Sequence, residues 1–378
     1  MSLRAGFVLT TIFDPVLLEG YYTNLAHWGH LGQVKVYVIP DCKTPPEAFS
    51  RCEGLRKRGM DVVCPTIPDQ EEFLSKVGFP PALIPHNSDN RRNVGYLMAL
   101  AEGLDFVISI DDDNYCPEQE DFFSGHAVVC GEEEEFEWVE SYSGWFNICE
   151  LLELDPSLDA YPRGFPYSAR HQDVAVRRYR RKATIRLNEG LWLQDPDLDG
   201  ITWLVAPVQA RAFKGASVVL SDRAWSPLNS QNTALHRDAI TPYYYIPMGH
   251  ALAGIPIDRY GDIFSGYFCQ ACVRHMGHGV RVGTPIVHHQ RNSHNFLRDA
   301  TNELACIWVL EDLLPWLKAL RLEGKSYSQA YVCLSELLEQ AVSKFSGFIW
   351  TDATRAYFRF IGSSMREWAK ACQRLNPL

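Results

Sequence analysis

The N-terminal third of the chain alternates short apolar runs with stretches of helical periodicity, which restricts it to a parallel or mixed α/β sheet. Residues 6–10, 34–39, 61–64 and 104–110 read as strands, and a helix is predicted around 95–102. In open α/β sheets ligands sit outside the carboxyl ends of the strands, so Thr10, Thr11, Asp41 and the residues after Ile110 are expected on one rim. The middle of the chain is less regular. From the acidic run 132–135 through the basic run 177–182 to about residue 237 it reads as loop-rich with short strands. Beyond it, 263–278 is predicted helical, 280–282 a strand and 288–295 a polar segment. The C-terminal part is helical in pattern, over 303–320, 328–345 and 352–374, and its tryptophans Trp308, Trp316, Trp350 and Trp368 are expected in the core.

Charge and cysteine usage narrow the classes further. The chain has 46 acidic and 36 basic residues, a formal charge of −10, which excludes a generally basic nucleic-acid coat. No stretch approaches the ~20 uninterrupted apolar residues of a membrane span. Eleven cysteines, an odd number without an export signal, suit a reducing, cytoplasmic setting better than a disulfide framework. Cys269 and Cys272 lack a second pair at metal spacing and lie in an apolar helical pattern, so they read as small buried hydrophobes.

The most informative segment is the strand 106–110, which runs straight into Asp111, Asp112 and Asp113, followed by Asn114. Adjacent carboxylates repel and raise each other's pKa values unless a cation is held between them. Oxygen ligands favour a hard divalent ion, Mn²⁺ or Mg²⁺, which keeps positions open for substrate phosphates. The alternative is an exposed acidic turn, but a triplet at the ligand-binding end of a strand favours the metal. Other nucleotide signatures are missing: there is no G-x-x-x-x-G-K-[ST], and Gly277, Gly279 and Gly283 have the wrong spacing for a dinucleotide fingerprint. What remains is a metal-bound diphosphate held without a glycine loop, the way a GT-A type nucleotide-sugar enzyme binds its donor.

At these motifs the chain resembles a known family. Arg92-Asn93-Val94-Gly95, the triplet, Tyr161-Pro162-Arg163-Gly164-Phe165-Pro166, Gly190-Leu191-Trp192-Leu193 and Ile257-Asp258-Arg259-Tyr260-Gly261-Asp262 occur in the order seen in the reversibly glycosylated polypeptides, the UDP-arabinopyranose mutases. The resemblance continues through His278-Gly279-Val280 and Thr284-Pro285 to His289. It implies a GT-A fold, a mixed sheet flanked by helices with a catalytic domain over 1–298 and a C-terminal helical extension over 299–378. It also implies a UDP-sugar substrate, Mn²⁺ or Mg²⁺, and a cytosolic or peripheral Golgi-side protein working as a homo-oligomer.

The resemblance implies roles for individual residues. Asp111 and Asp113 would hold the metal, with His289 as a further ligand. Thr10 and Asp41 would hold the uracil and ribose, and Arg92 the phosphates, against a reading of all three as plain strand-end turn residues. Asp112, Trp192, Asn232 and Arg259 complete the expected nucleotide-sugar contacts. Arg163 matches the family's glycosylated arginine and is expected either to receive the sugar or to pair with the leaving diphosphate. Asp262 is the candidate base or oxocarbenium stabiliser, against a plain helix N-cap. Three departures stand near this site: Asn114 replaces a cysteine, Gly261 replaces an aspartate, and the segment 171–188 is longer. The basic run within that segment is a candidate lid, a seat for an anionic acceptor, or a solvated stretch paired with 132–135. The expected function is UDP-sugar cleavage at the anomeric carbon, as in a mutase with possible self-glycosylation at Arg163. The alternatives are a glycosyltransferase with a separate acceptor and a non-catalytic partner subunit.

Overall fold

One mixed sheet of 13 strands organises the chain. The computed structural model describes residues 2–172 and 175–377. In chain order the strands are β1 (Ala5–Thr11), β2 (Val34–Pro40), β3 (Asp61–Val63), β4 (Phe106–Ile110), β5 (Asn114–Tyr115), β6 (Glu134–Ser141), β7 (Leu152–Asp155), β8 (Val176–Ala183), β9 (Ile185–Gln194), β10 (Gln209–Phe213), β11 (Val218–Leu220), β12 (Asn232–His236) and β13 (Gly279–His289). Their order across the sheet is β3-β2-β1-β4-β12-β9-β13-β11-β6-β8, with β10 beside β9 and β7, and β5 beside β13.

The helices are α1 (Leu18–His27), α2 (Pro46–Lys57), α3 (Ile67–Lys76), α4 (Arg92–Ala101), α5 (Phe122–Ala127), α6 (Gly200–Val205), α7 (Gly261–His275), α8 (Phe296–Ala319), α9 (Tyr327–Ala341) and α10 (Asp352–Leu375). β1 pairs in parallel with β2 and β4, and all five residues of β4 are buried. A strand covered on both faces needs an unbroken apolar run, which is what the sequence shows there. β12 runs antiparallel to both β4 and β9, and β9 runs parallel to β13. It follows that β1, β2, β4, β9 and β13 all point the same way, so Thr11, Asp41, Asp111, Gln194 and His289 share one rim.

This is the fold class expected from the sequence: a mixed sheet flanked by helices, with a helical C-terminal region. The C-terminal helices pack on the helical layer, α10 against α9 and α4, and α9 against α7. α10 turns Phe358, Ile361, Met365, Trp368 and Cys372 inward at helical spacing, and Trp368 donates its indole N–H to the Thr241 carbonyl at 2.9 Å. Trp350 and Trp368 are core residues as expected, but Trp308 is not: it lies on the solvent side of α8. Cys269 and Cys272 are fully buried on α7, and the eleven cysteines are free. No helix of the described residues is long and apolar enough to cross a membrane.

The middle of the chain departs most from the sequence reading. The region expected to be loop-rich holds the long strands β6, β8 and β9. The basic run is β8 itself, antiparallel to β6, with ion pairs Arg178–Glu137 at 2.6 Å and Arg177–Glu140 at 3.9 Å, and a third between Arg180 and Glu135. β8 is the outermost strand, three places beyond β13, so it neither covers the rim nor forms an acceptor seat there. Charged side chains on an edge strand also discourage edge-to-edge pairing. Residues 173 and 174 of the longer segment lie outside the described residues.

Candidate active site

The rim carries a cleft with two adjoining lobes, of about 230 Å³ and about 260 Å³, which share Thr10, Asp89 and Asp112. The first is lined by the Asp111–Asp113 turn, Arg92, Arg163, Arg259, Asp262, His289, Arg291 and His294. The second is less polar and includes Ile12, Phe13, Ile39 and Asp41. Most residues singled out from the sequence therefore meet in one place, from segments far apart in the chain.

Backbone hydrogen bonds fix the acidic turn. Asp111 N–H donates to the Gln231 carbonyl at 3.2 Å, Asn114 N–H to the Asp111 carbonyl at 3.2 Å, and Gln290 N–H to the Asp113 carbonyl at 2.9 Å. β5 then pairs with the end of β13, setting Asn114 opposite His289. The consequence is a contact between side chains that are 176 positions apart in sequence (289 − 113): His289 Nε2 stands 3.3 Å from Asp113 Oδ2. The other ring nitrogen, Nδ1, lies 2.6 Å from the Asp195 carbonyl oxygen. A carbonyl only accepts, so Nδ1 carries the proton and Nε2 turns its remaining valence toward Asp113 and the cleft. Burial works against a charged imidazolium, but Asp113 outweighs it and holds the His289 pKa above its ordinary value. Burial likewise pushes Asp113 up, and the His289 partner overrides it and holds the carboxyl low. Asn114, which stands where the family has a thiol, donates to Asp113 Oδ1 at 3.2 Å and orients it.

The three aspartates do not act as one set of ligands. Arg92 is buried, donating to Ser109 Oγ at 2.7 Å, to the Ser230 carbonyl at 2.8 Å and to Asp111. It therefore holds Asp111 in place, and its guanidinium is not free for a phosphate as the sequence had suggested. Asp112 accepts from Thr11 Oγ1 at 2.6 Å; burial, more than its acidic neighbours, pushes it up to about 6. Among the described residues, no group of three or more His, Cys, Asp or Glu side chains stands close enough to hold a metal alone. The Asp113–His289 pair nevertheless suits an ion that arrives with a diphosphate, since Mg²⁺-type ions take one or two protein ligands and complete their shell with phosphate and water.

Arg163 sits behind this rim, only 4% exposed. Its guanidinium forks onto two carboxylates. Nε and Nη2 each donate to Asp197 at 3.0 Å, while Nη1 and Nη2 donate to Asp262 at 3.0 and 2.9 Å. Nη1 also reaches the Arg259 carbonyl. Asp262 accepts from its own helix at Ile263 N–H, 2.9 Å, so both of its oxygens are engaged and it is not a free base. Gly164 follows at φ +86°, where a Cβ would lie 2.4 Å from Ile263 Cγ2, so the Arg-Gly step admits only glycine without movement. Gly261, where the family has an aspartate, has no room for one: a Cβ would lie 2.5 Å from the Ile246 carbonyl oxygen and 2.6 Å from the Tyr245 ring.

Two residues expected to touch the nucleotide-sugar line neither lobe. Trp192 is fully buried within the sheet layer. Asn232 Oδ1 accepts from His126 Nε2 at 2.8 Å, and its Nδ2 donates to the Pro285 carbonyl at 2.8 Å, tying β12 to β13. Its amide also leaves no room for a side chain at Gly190. Both are framework residues. Asp41 lines the second lobe, but its carboxylate accepts from Cys42 and Ser88 N–H at 2.7 and 3.0 Å. Arg259 lines the first lobe, held by Glu303 at 3.0 Å.

Two residues escaped the sequence reading. Asp197, the buried partner of Arg163, follows the end of β9. Arg291 lies two residues past His289, its guanidinium 4.6 Å from the Trp203 ring centroid. Among the described residues it has no carboxylate within ion-pairing distance. Burial and then the like charge of Arg259 hold its pKa below the ordinary arginine value. An arginine inside an acidic cleft without a partner is a receptor for an anion. Its position in the polar segment at the rim was the available signal.

A family model described as reversibly glycosylated polypeptide matches residues 69–377. The chain is 28% identical over 228 residues to probable UDP-arabinopyranose mutase 4 of Arabidopsis thaliana, covering 59% of this chain and 57% of that protein. It is 30% identical over 227 residues to probable UDP-arabinopyranose mutase 1 of Solanum tuberosum, again covering 59% and 57%. The chain thus spans little more than half the length of the curated relatives it matches. Among solved structures it is similar to glucosyl-3-phosphoglycerate synthase from Mycobacterium tuberculosis in complex with Mn²⁺ and UDP-glucose, at 13% identity and TM-score 0.41, over 82% of this chain and 78% of that one. With the family model matching most of its length, the chain belongs to the reversibly glycosylated polypeptide family.

Proposed function

We propose that this chain is a metal-assisted UDP-sugar enzyme of GT-A type that cleaves the anomeric C–O bond in the manner of a UDP-arabinopyranose mutase. The observation that carries the reading is the Asp113–His289 pair, with its tautomer fixed by Asp195, facing a cleft that also holds the unpaired Arg291. In this reading the less polar lobe beside Thr10 and Asp41 takes the uridine, and the polar lobe takes the diphosphate and sugar. Asp113 and His289 would hold Mn²⁺ or Mg²⁺; such an ion, when bound, neutralises charge on a diphosphate. Arg291 offers its guanidinium to the negative charge that develops on the departing UDP.

Arg163 is assigned a positioning role. Self-glycosylation at Arg163 would require one of its nitrogens to leave a buried carboxylate, and all three are engaged. The Arg163–Asp197–Asp262 cluster instead fixes the wall from which Arg259 projects. The catalytic domain over 1–298 and the homo-oligomeric state belong to the same proposal. The place of β8 at the sheet edge favours a mutase over a transferase, because the basic segment considered as an acceptor seat lies three strands beyond β13. Incubation of the pure protein with Mn²⁺ and a panel of UDP-sugars tests the reading. A ring-isomer product supports it; UDP release that depends on an added acceptor replaces it with a transferase; donor binding without turnover replaces it with a partner subunit.

A further inference from the structure

A second group of cations lies outside the cleft, where the C-terminal ends of α7 and α8 meet the short ribbon of Gly144–Trp145 and Ala224–Trp225. A cavity of about 330 Å³ opens there, lined by Arg274 of α7, Lys318 of α8 and Arg321 just beyond it, with Trp225, Leu317 and Leu320 as its apolar side. The Arg274 side chain is only 8% exposed. Its guanidinium donates to the Ser221 and Ala224 carbonyls and to Gln270 Oε1, the last at 2.8 Å, and lies 4.5 Å from the Trp225 ring centroid. Lys318 donates to the Gly144 carbonyl at 3.0 Å and stands 4.1 Å from the Trp145 ring centroid. Both residues occupy the last turn of a helix, where a cation suits the helix dipole, yet neither donates to a main-chain carbonyl of its own helix.

The acceptors that hold these two side chains are all neutral. Among the described residues the one carboxylate within ion-pairing distance of Arg274 is Asp222, at 3.8 Å and 93% exposed, and Lys318 and Arg321 have none. His275, on the same helix end, is engaged with the Gly324 carbonyl at 2.9 Å. Burial lowers the Arg274 pKa to about 10 against the pull of Asp222, and burial followed by the like charge of Arg274 lowers Lys318 to about 8. Two poorly solvated cations that repel each other are both relieved by an anion that touches both. We infer that this cavity binds a phosphoryl dianion, with Arg274 and Lys318 as its inner contacts and Arg321 at its mouth. A phosphoryl group carries about −1.5 to −2 charge at neutral pH and presents three acceptor oxygens, which matches two cations with N–H groups to spare, whereas a carboxylate neutralises only one. The volume and the apolar side suit a phosphate monoester of a small organic molecule better than free phosphate. The cavity shares no lining residue with the cleft, so the inference is independent of the enzymatic reading. Its surroundings do reach the Arg163 segment: Trp145 packs edge-on against Phe165 and Tyr267, and Tyr267 donates to the Gly164 carbonyl at 3.0 Å.

Calorimetric titration with phenyl phosphate, inorganic phosphate and benzoate tests it. The Arg291→Gln chain without divalent metal serves as the background, so that the cleft does not compete, and circular dichroism confirms folding. Because Arg274 also holds the 221–224 loop, the substitutions fall on the two more accessible cations. Phenyl phosphate is expected to bind, and benzoate to bind at least about tenfold more weakly. Lys318→Met is expected to weaken phenyl phosphate at least about tenfold, and the exposed Arg321→Gln about threefold. Inorganic phosphate bound tenfold more weakly than phenyl phosphate supports a monoester as the occupant, and equal binding supports the same site with free phosphate in it. Absence of binding by either phosphate overturns the inference, as does binding indifferent to both substitutions or benzoate bound as tightly as phenyl phosphate.

Discussion

Replacing Arg163 with alanine removes a single positive charge that holds two buried carboxylates, Asp197 and Asp262, through four hydrogen bonds of 2.9 to 3.0 Å. Breaking a buried ion pair from one side costs roughly 3–5 kcal/mol, because the partner charge stays in a poorly solvated place. The unfolding entropy of a 378-residue chain is about 0.8 kcal/mol/K at roughly 2 cal/mol/K per residue, so a loss of about 4 kcal/mol lowers the melting midpoint by about 5 °C. The deficit has a defined pH dependence. In the parent, Arg163 holds Asp197 low, which contributes stability above the ordinary carboxylate range and loses it on acidification. In the variant Asp197 loses the charge that holds it low and takes up a proton more readily, so the gap to the parent narrows as pH falls from 7 toward 4. Scanning fluorimetry across that range measures both. Arg163→Lys, which keeps the charge but not the fork, is expected to fall between. A variant melting within about 1 °C of the parent at pH 7, or a gap that widens on acidification, would refute the reasoning.

Other consequences are smaller or simpler to read. Gly261→Asp restores the residue typical of the family but drives Cβ into the Ile246 carbonyl, so it is expected to cost about 1–3 kcal/mol and show as a lower urea midpoint. Buried His126, whose pKa desolvation lowers to about 3, must stay neutral in the fold while it protonates near pH 6.5 when unfolded. Stability is therefore expected to fall by about 1.4 kcal/mol per pH unit below that point, and His126→Gln to flatten the profile measured by urea unfolding. Arg291→Gln is expected to leave the melting midpoint unchanged while weakening UDP affinity about tenfold or more by calorimetry, and equal affinity would remove its assignment.

The sheet's parallel half was legible because strands buried on both faces must be written as unbroken apolar runs, as at 106–110. The acidic triplet was legible for the same reason, since it follows such a strand directly. The antiparallel half was not. β8 is built from Arg177, Arg178, Arg180, Arg181 and Lys182, and cross-strand ion pairs with β6 replace the apolar alternation by which a strand is usually recognised. Trp308 was expected in the core because α8 is apolar on two faces, and periodicity does not say which one the protein covers. At the site, Asp197 and Arg291 gain their meaning only from their partners Arg163 and Trp203, 34 and 88 positions away, a separation no local pattern encodes. The sequence motif marked Arg163, Asp262 and Arg92 as important but not their work, which is to hold one another and Asp111 in place.

In the proposed reading Asp113 and His289 form a metal-dependent diphosphate site on this rim. Calorimetric titration of UDP with and without Mn²⁺, on the parent and on Asp113→Asn and His289→Gln, tests it most directly. The parent is expected to bind UDP only with Mn²⁺, and both variants are expected to lose that binding while keeping their folds. Binding of UDP that is equally strong without the metal, or that survives both substitutions, would contradict it.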